Sequence, residues 1–391
     1  MSSPFSYSRV DLPEGWHKRR LGSLLQFRNG QDISGTDIES ESYPVYGSGG
    51  EFKRTNQYLF DGPSILFGRK GTIDKPLLVD GRFWTVDTMF YTVPGPDVDP
   101  RFVYYWALIA PLSVLSTNTA VPSMTSTDLA QLYLAVPPLP TQRAIADYLD
   151  RETAEIDAMR ADLDKMEQLL KERQASLFRA VTGDESVEVG VGVTSLLITG
   201  STPKGGRLGT KDRPENGLLW LRPEDLDDEH PSKAIKLTAS ESETVKVLPA
   251  NTPLFCGIGA TVGKTGFSDQ KCATNQQITA LVPQTGFDAR YLFRALQSKQ
   301  DEIRETAPSS TLKIVNNQRL SAQKIPFFPL PEQRRIADEI DRETAEIDSM
   351  LEDITKLRDL LVERRSAVIS AAVTGEIDIP VSLDDKDEPH A

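Results

Sequence analysis

Residues 139–183 read LPTQRAIADYLDRETAEIDAMRADLDKMEQLLKERQASLFRAVTG, and residues 330–375 read LPEQRRIADEIDRETAEIDSMLEDITKLRDLLVERRSAVISAAVTG. One plan therefore recurs at an offset of 191, from Leu139 to Leu330, until one extra residue enters near Ala372. Self-similarity on this scale marks a chain made of two copies of one unit. In the first copy Ile145, Leu149, Ile156, Met159, Leu163, Met166, Leu170 and Leu177 recur at spacings of three, four or seven. Ile336, Ile340, Ile347, Met350, Ile354, Leu357, Leu361 and Val368 do so in the second. That spacing lays an apolar stripe along one side of a helix, the seam of a coiled coil. Pro140 and Pro331 suit a first helical turn, and Gly183 and Gly375 stand just past the last apolar position, so both helices are long and bounded.

Charged residues interrupt the seam at equivalent places, Glu152 and Arg173 in one copy and Glu343 and Arg364 in the other. Such groups either set register and orientation or reach past the seam to water. Two similar helices of one chain bury their stripes against each other, and antiparallel pairing gives an approximate two-fold axis. From Gln142 to Leu177 is 36 residues, about 54 Å at ~1.5 Å per residue, enough to hold two small domains side by side.

The segments before the helices read differently. PSILFGRKGTID (63–74), GRFWTVDTMFYTV (81–93) and NTPLFCGIGATVGKTGF (251–267) are short Val, Ile, Phe and Tyr runs broken by Gly, Pro, Asn and Ser, the pattern of twisted antiparallel strands with tight turns. RFVYYWALIA (101–110) and ARYLFRALQSKQDEI (289–303) have helical spacing at matching places. The expected fold class is α+β. A first globular unit spans 1–137, a central helix 138–183, a second globular unit 184–328, a C-terminal helix 329–375 and an acidic flexible tail 376–391.

A chain of 391 residues, 39% hydrophobic and 26% charged, suits two or three well-buried domains. No window approaches a membrane span, and the start MSSPFSYSRV lacks the apolar core of a signal peptide, so a cytoplasmic protein is expected. Two cysteines and three histidines, widely scattered, imply neither a disulfide nor a zinc site. The net charge of −13 divides unevenly: −2 for 1–137, −5 for 138–189, +3 for 190–328 and −9 for 329–391. The acidity belongs to the helices and tail, leaving the globular units nearly neutral and compatible with local basic faces.

Enzyme signatures fail on inspection. GATVGKT (259–265) has part of a phosphate-binding loop, but that loop needs a glycine five residues before Gly263, where Ile258 stands. No G-x-S-x-G elbow, H-E-x-x-H or kinase set occurs, nor does N-P-P followed by an aromatic. The residues with recognition chemistry lie on turns. In the first unit they are Tyr46, Ser48 and Gly49, the adjacent Arg69 and Lys70, and Thr117, Asn118 and Ser123. Glycine lets a backbone approach a ligand, arginine offers a planar fork for guanine, and lysine a point charge for phosphate. The places taken to correspond in the second unit hold Lys204 and Arg207, Lys264 and Thr265, Asn275 and Gln276, and Ser309, Thr311 and Lys313. Asn and Gln can bond adenine bidentately, while Ser, Thr and Lys suit phosphate. The same loops also read as ordinary solvated turns, and Trp84 and Trp220 read more readily as core than as stacking platforms.

LPEGWHKRRLGSLLQF (12–27), YPVYGSGG (43–50), ILFGRKGTI (65–73), WTVDTMFY (84–91), AVPSMTSTDL (120–129) and the twice-used proline-glutamine signature, PPLPTQRAIADYLD and FPLPEQRRIADEID (328–341), together resemble the DNA-specificity (S) subunit of type I restriction-modification systems. The likeness runs from Leu12 to Gly375. It implies two target recognition domains, each reading one half of a split, asymmetric site on double-stranded DNA, and two spacer helices that act as a ruler. It also implies two methylation subunits clamped to those helices and restriction subunits beyond them. S-adenosylmethionine, ATP and Mg are expected in those partners, and no cofactor or catalytic residue in this chain. On the acidic helices, Gln142, Arg143 and Glu155 and their repeats Gln333, Arg334 and Glu346 are the expected partner contacts. The rival readings are a structural adaptor that spaces two modules on a coiled coil, and an enzyme whose site leaves no motif.

Overall fold

The computed structural model describes residues 12–33, 42–115, 122–183, 187–204, 214–227, 234–307 and 313–380. The chain forms two compact units, 1–164 with 355–391, and 165–354. Each takes part of both long helices, which span Leu139–Thr182 and Leu330–Thr374.

In the first unit an antiparallel sheet orders Leu25–Asn29, Met89–Pro94, Ser64–Gly68 and Leu77–Val79. A second sheet orders Gly50–Thr55, Tyr43–Gly47, Arg82–Thr85 and Phe60–Asp61. The second unit repeats the first sheet as Ser195–Thr199, Ile278–Pro283, Thr252–Cys256 and Thr265–Ser268, and has a smaller sheet of Ile235–Leu237, Leu218–Leu221 and Cys272–Thr274. The expectation of antiparallel strands needs one correction per unit. Val45 lies opposite Trp84 and Leu219 opposite Cys272 in parallel pairs, because these strands are joined through long connections rather than tight turns.

The helical segments form where their spacing placed them, over Pro100–Ile109 and over Ala289–Ser298 followed by Gln300–Glu305. Asp99 and Asp288 cap the first two by accepting from the backbone N–H of Arg101 and Arg290, satisfying donors that a helix start leaves open. Both long helices run into glycines with positive φ, 72° at Gly183 and 76° at Gly375. At Gly375 a Cβ would stand 2.7 Å from Cγ of Pro13, so conformation and packing both require glycine.

The first core packs Leu21, Ile65, Phe67, Phe102 and Trp106 against Ile145 and Leu149 from the start of the first long helix and Ile369, Ala372 and Val373 from the end of the second. The second core reverses the roles: Phe255, Tyr291 and Leu292 meet Leu177 and Phe178 from the end of the first helix and Ile336 and Ile340 from the start of the second. Each such apolar side chain contributes about 1.5–3 kcal/mol on burial, so neither globular fold is complete without both helices. Ile377 and Ile379 also lie against the first core, between the exposed Glu376, Asp378 and Pro380, while 381–391 lies outside the described residues.

Not every seam position is covered. Ile156, Ile347 and Ile354 are buried, whereas the repeat-related Met159 and Met350, and Met166 and Leu357, are at least 40% exposed. The covered positions keep a strict seven-residue spacing, Ile156, Leu163, Leu170 and Leu177 in one helix and Ile347, Ile354, Leu361 and Val368 in the other, so along this stretch only one of the two rows of each stripe is covered.

Candidate nucleic-acid interface

The buried glutamines of the repeated signature come first, since they hold the globular folds on the helices. Gln142 is 1% exposed and Gln333 0%. The amide of Gln142 donates to the carbonyl oxygens of Asp97 (3.1 Å) and Pro137 (2.9 Å) and accepts from the N–H of Asp99 (2.9 Å). That of Gln333 donates to Gly286 (3.2 Å) and Phe328 (2.7 Å) and accepts from Asp288 (2.8 Å). Expected as partner contacts, both instead turn inward and tie the loop before the capped helix to the residues just before the long helix, with both amide hydrogens and the carbonyl oxygen engaged.

A second clamp sits one turn further on. Arg101 donates to Asp147 (2.7 Å) and Asp150 (2.8 Å), and Arg290 to Asp338 (2.6 Å) and Asp341 (3.1 Å). Tyr105 then donates to Asp150 at 2.6 Å, while Arg294 at the equivalent place donates to Asp341 at 2.8 Å. Periodicity and turn residues do not reveal this clamp; the signal in the sequence is an Asp-x-Arg triplet at 99–101 and 288–290, at the same place in both copies. Arg143, Glu155, Arg334 and Glu346 are exposed. Arg334 lies 3.7 Å from Asp288, and Glu346 pairs with Arg342 at 2.7 Å.

In the first unit three of the candidate turns converge. Gly71 donates to the carbonyl of Pro122 (3.0 Å), Met124 donates to that of Arg69 (3.0 Å), and Lys70 bridges Ser123. A Cβ on Gly71, whose φ is 84°, would lie 3.2 Å from Oγ of Ser48. Ser48, Arg69, Lys70 and Ser123 thus share one surface, with Gly49 exposed at the hairpin tip and Lys70 exposed. Arg69 is half-buried, donates to the carbonyl of Asp87 at 3.3 Å and lies over the Phe90 ring. Tyr46 is half-buried against Phe83, and burial followed by the nearby Glu51 pushes its phenol up, so its ring serves packing more than contact. Thr117 and Asn118 lie outside the described residues.

The second unit builds the same backbone frame from other residues. Gly259, with φ 103°, donates to the carbonyl of Lys313 (3.1 Å), Val315 donates to that of Gly257 (2.8 Å), and Ile258 bridges Ile314. The counterpart of Gly68-Arg69-Lys70-Gly71 is therefore Cys256-Gly257-Ile258-Gly259, and Lys264-Thr265 is not, which corrects the matching made from sequence. Thr265 opens a strand opposite Phe255 and is 8% exposed, and Lys264 is half-buried beside it. The cation on this frame is the exposed Lys313, where the first unit has Pro122.

Asn275 is 8% exposed, donates to Oε1 of Gln277 at 2.9 Å and accepts from the Gln277 N–H at 3.0 Å. It closes a turn and is not free to read a base. Gln276 beside it is exposed and accepts from Thr202 at 2.7 Å, and Lys204 is exposed in the adjoining loop. Arg207, Ser309 and Thr311 lie outside the described residues. Trp84 and Trp220 are buried, their indole N–H groups donating to Gln31 and Ser201. Among the described residues no helix is long and apolar enough to cross a membrane, and no group of His, Cys, Asp or Glu is placed to hold a metal.

Two globular units on one plan, each packed on parts of both long helices and each with the same loop frame, define a tandem two-unit protein. The chain belongs to the type I restriction modification DNA specificity domain family, whose model matches it twice, over residues 13–168 and 199–357. It is 21% identical to the type I restriction enzyme EcoDI specificity subunit of Escherichia coli over 94% of this chain and 89% of that one. The EcoBI specificity subunit of Escherichia coli is 27% identical over 34% of this chain and 28% of its own length. A chain from a structure describing complex assembly and conformational transition of the type I R-M system superposes with TM-score 0.76 at 18% identity, covering 94% of this chain and all (100%) of that one. The HsdS subunit from Thermoanaerobacter tengcongensis superposes with TM-score 0.58 at 18% identity over 94% of this chain and 99% of that one.

Proposed function

We propose that this chain is the non-catalytic reader of a restriction-modification complex, each unit recognising one half of a bipartite, asymmetric sequence in double-stranded DNA. The observation that carries this reading is the loop frame built twice on the same backbone bonds with unlike side chains, Arg69 and Lys70 in one unit and Gly257 and Ile258 with Lys313 in the other. Equal frames suit equal approach to the duplex, and unlike side chains suit unlike base edges. The long helices pair as an antiparallel coiled coil and set the unread gap, a reading supported within each unit by cross-helix ion pairs. Arg364 with Glu152 and Arg365 with Asp157 do this in the first, and Arg173 with Glu343 in the second. The exposed Arg143, Glu155, Arg334 and Glu346 face two methylation subunits; these and the restriction subunits bring S-adenosylmethionine, ATP and Mg.

Selection from randomised duplex DNA at two salt concentrations tests the reading, using the full chain co-expressed with a methyltransferase subunit encoded beside it. Two short, unlike motifs separated by a fixed unread gap are expected. A single continuous palindrome, or binding with no enriched motif, would overturn it.

A further inference from the structure

The hairpin that carries Ser48 and Gly49 is irregular. Val45 lies opposite Lys53 but Tyr46 lies opposite Glu51, which leaves Phe52 as the extra residue of a β-bulge. A bulge turns a side chain out of the regular alternation of a strand, and bulges concentrate beside functional surfaces. Here it puts an aromatic ring in solvent: Phe52 is 60% exposed, next to the exposed Glu51 in a strand whose faces should alternate.

The exposed ring is nonetheless held in place. A Cβ on Gly47 would lie 3.3 and 3.4 Å from Cε1 and Cδ1 of Phe52, so the absence of a side chain at Gly47 is what lets the ring edge rest on the backbone. Gly47 leads directly to Ser48, whose Oγ would lie 3.2 Å from a Cβ on Gly71 of the Arg69-Lys70 loop. The first reading surface thus combines a cationic pair, hydroxyl groups and one braced, uncovered aromatic ring. In the major groove the polar groups of such a surface answer to base edges and phosphates. The one strongly apolar feature there is the 5-methyl group of thymine. A ring braced along its edge is suited to lie against that methyl and poorly placed to enter between stacked bases.

We infer that Phe52 is a specificity-determining residue of the first unit, its ring packing on the 5-methyl group of a thymine in the half-site that this unit reads. The inference rests on the split-site reading above. Its test compares the full chain and its Phe52→Ala and Phe52→Leu variants, each co-expressed with the methyltransferase subunit, in selection from randomised duplexes. Binding to the best duplex is then measured with each thymine of the enriched motifs replaced in turn by deoxyuridine, which lacks the methyl.

The parent chain is expected to enrich a thymine in one half-motif and to lose about fourfold in affinity when that base becomes deoxyuridine, the factor one buried methyl-sized group is worth. Phe52→Ala should lose both the thymine preference and the deoxyuridine penalty while still enriching the remaining positions of the first half-motif and the whole of the second, which shows that both units are folded. Phe52→Leu should keep part of the preference. An unchanged pair of half-motifs in Phe52→Ala, or a deoxyuridine penalty that persists in it, would overturn the inference and leave split-site reading standing. If the parent itself enriches no split motif, the split-site reading fails and the inference with it.

Discussion

Arg173 of the first long helix donates to Glu343 of the second at 2.6 Å, and the repeat of that pair, Arg364 with Glu152, stands at 3.3 Å. The four charges that interrupt the two apolar seams are therefore each other's partners, each joining one copy of the repeat to the other. If the helices pair antiparallel as proposed, the same ends would not meet in a parallel arrangement, and the two ion pairs would then select orientation as well as register.

Reversing one charge should expose that role. Arg173→Glu places two carboxylates together, and Arg173→Glu with Glu343→Arg restores the pair in mirror form. With the arginine side chain 59% exposed and the glutamate 18%, the single reversal is expected to cost about 1 kcal/mol at low salt, at the upper end for a solvent-screened pair. The double variant should recover most of it. Urea unfolding of the parent, Arg173→Glu, Glu343→Arg and the double variant gives the coupling, and purely additive effects would deny the pair any part in orientation.

The glutamine clamp predicts a larger and purely structural loss. Gln142→Ala strands the Asp99 N–H and the Pro137 carbonyl in a buried site, each costing about 1–3 kcal/mol when unpaired, and releases the part-buried Asp97 carbonyl. Thermal unfolding should report loss of the first unit, and Gln333→Ala should do the same to the second. Charge reversal at the exposed Arg143 should leave melting unchanged yet reduce co-purification with methylation subunits. Full co-purification would move the docking face elsewhere.

Alkaline pH should weaken the fold through its phenols. Burial, then the hydrogen bond to Asp150, pushes Tyr105 up, and burial pushes Tyr291 up. A phenol raised in the folded state keeps its proton there while the unfolded chain gives its proton up. The stabilisation is therefore whole below about pH 10, the unfolded value, and declines as pH rises toward the folded values. The urea midpoint should hold from pH 7 to 9 and fall above 10, and Tyr105→Phe should flatten part of that fall. A variant with the parent's full alkaline slope would remove Tyr105 from the account.

The basic loop separates two kinds of contact. If Lys70 meets phosphate, Lys70→Ala weakens all duplexes alike and lowers the slope of log affinity against log salt by about 0.9. If Arg69 reads a base edge, Arg69→Ala costs about 1–3 kcal/mol on the preferred first half-site alone. Affinity measured across a salt series on matched and mismatched duplexes distinguishes them, and equal losses on both duplexes for Arg69→Ala would make it a second phosphate contact.

Periodicity, turn residues and the exact recurrence of a long segment are properties of neighbouring residues, so the two helices, their glycine ends, the paired globular units and the family resemblance could all be read from the chain alone. What neighbours cannot show is which distant backbone bonds a loop will accept. Gln142 and Gln333 carry amides that suit a protein surface as well as a core. Only the docking of each long helix beneath Asp99 or Asp288 turned them inward. Gly257-Ile258 shares no side-chain chemistry with Arg69-Lys70, and only the bonds of each loop to Lys313 or Pro122 show that they are one frame. Local sequence determined the elements and their repetition because local sterics and amphipathicity do; tertiary structure decided which polar groups close the fold and which stay at the surface, because burial and long-range hydrogen bonding are settled only when the elements pack.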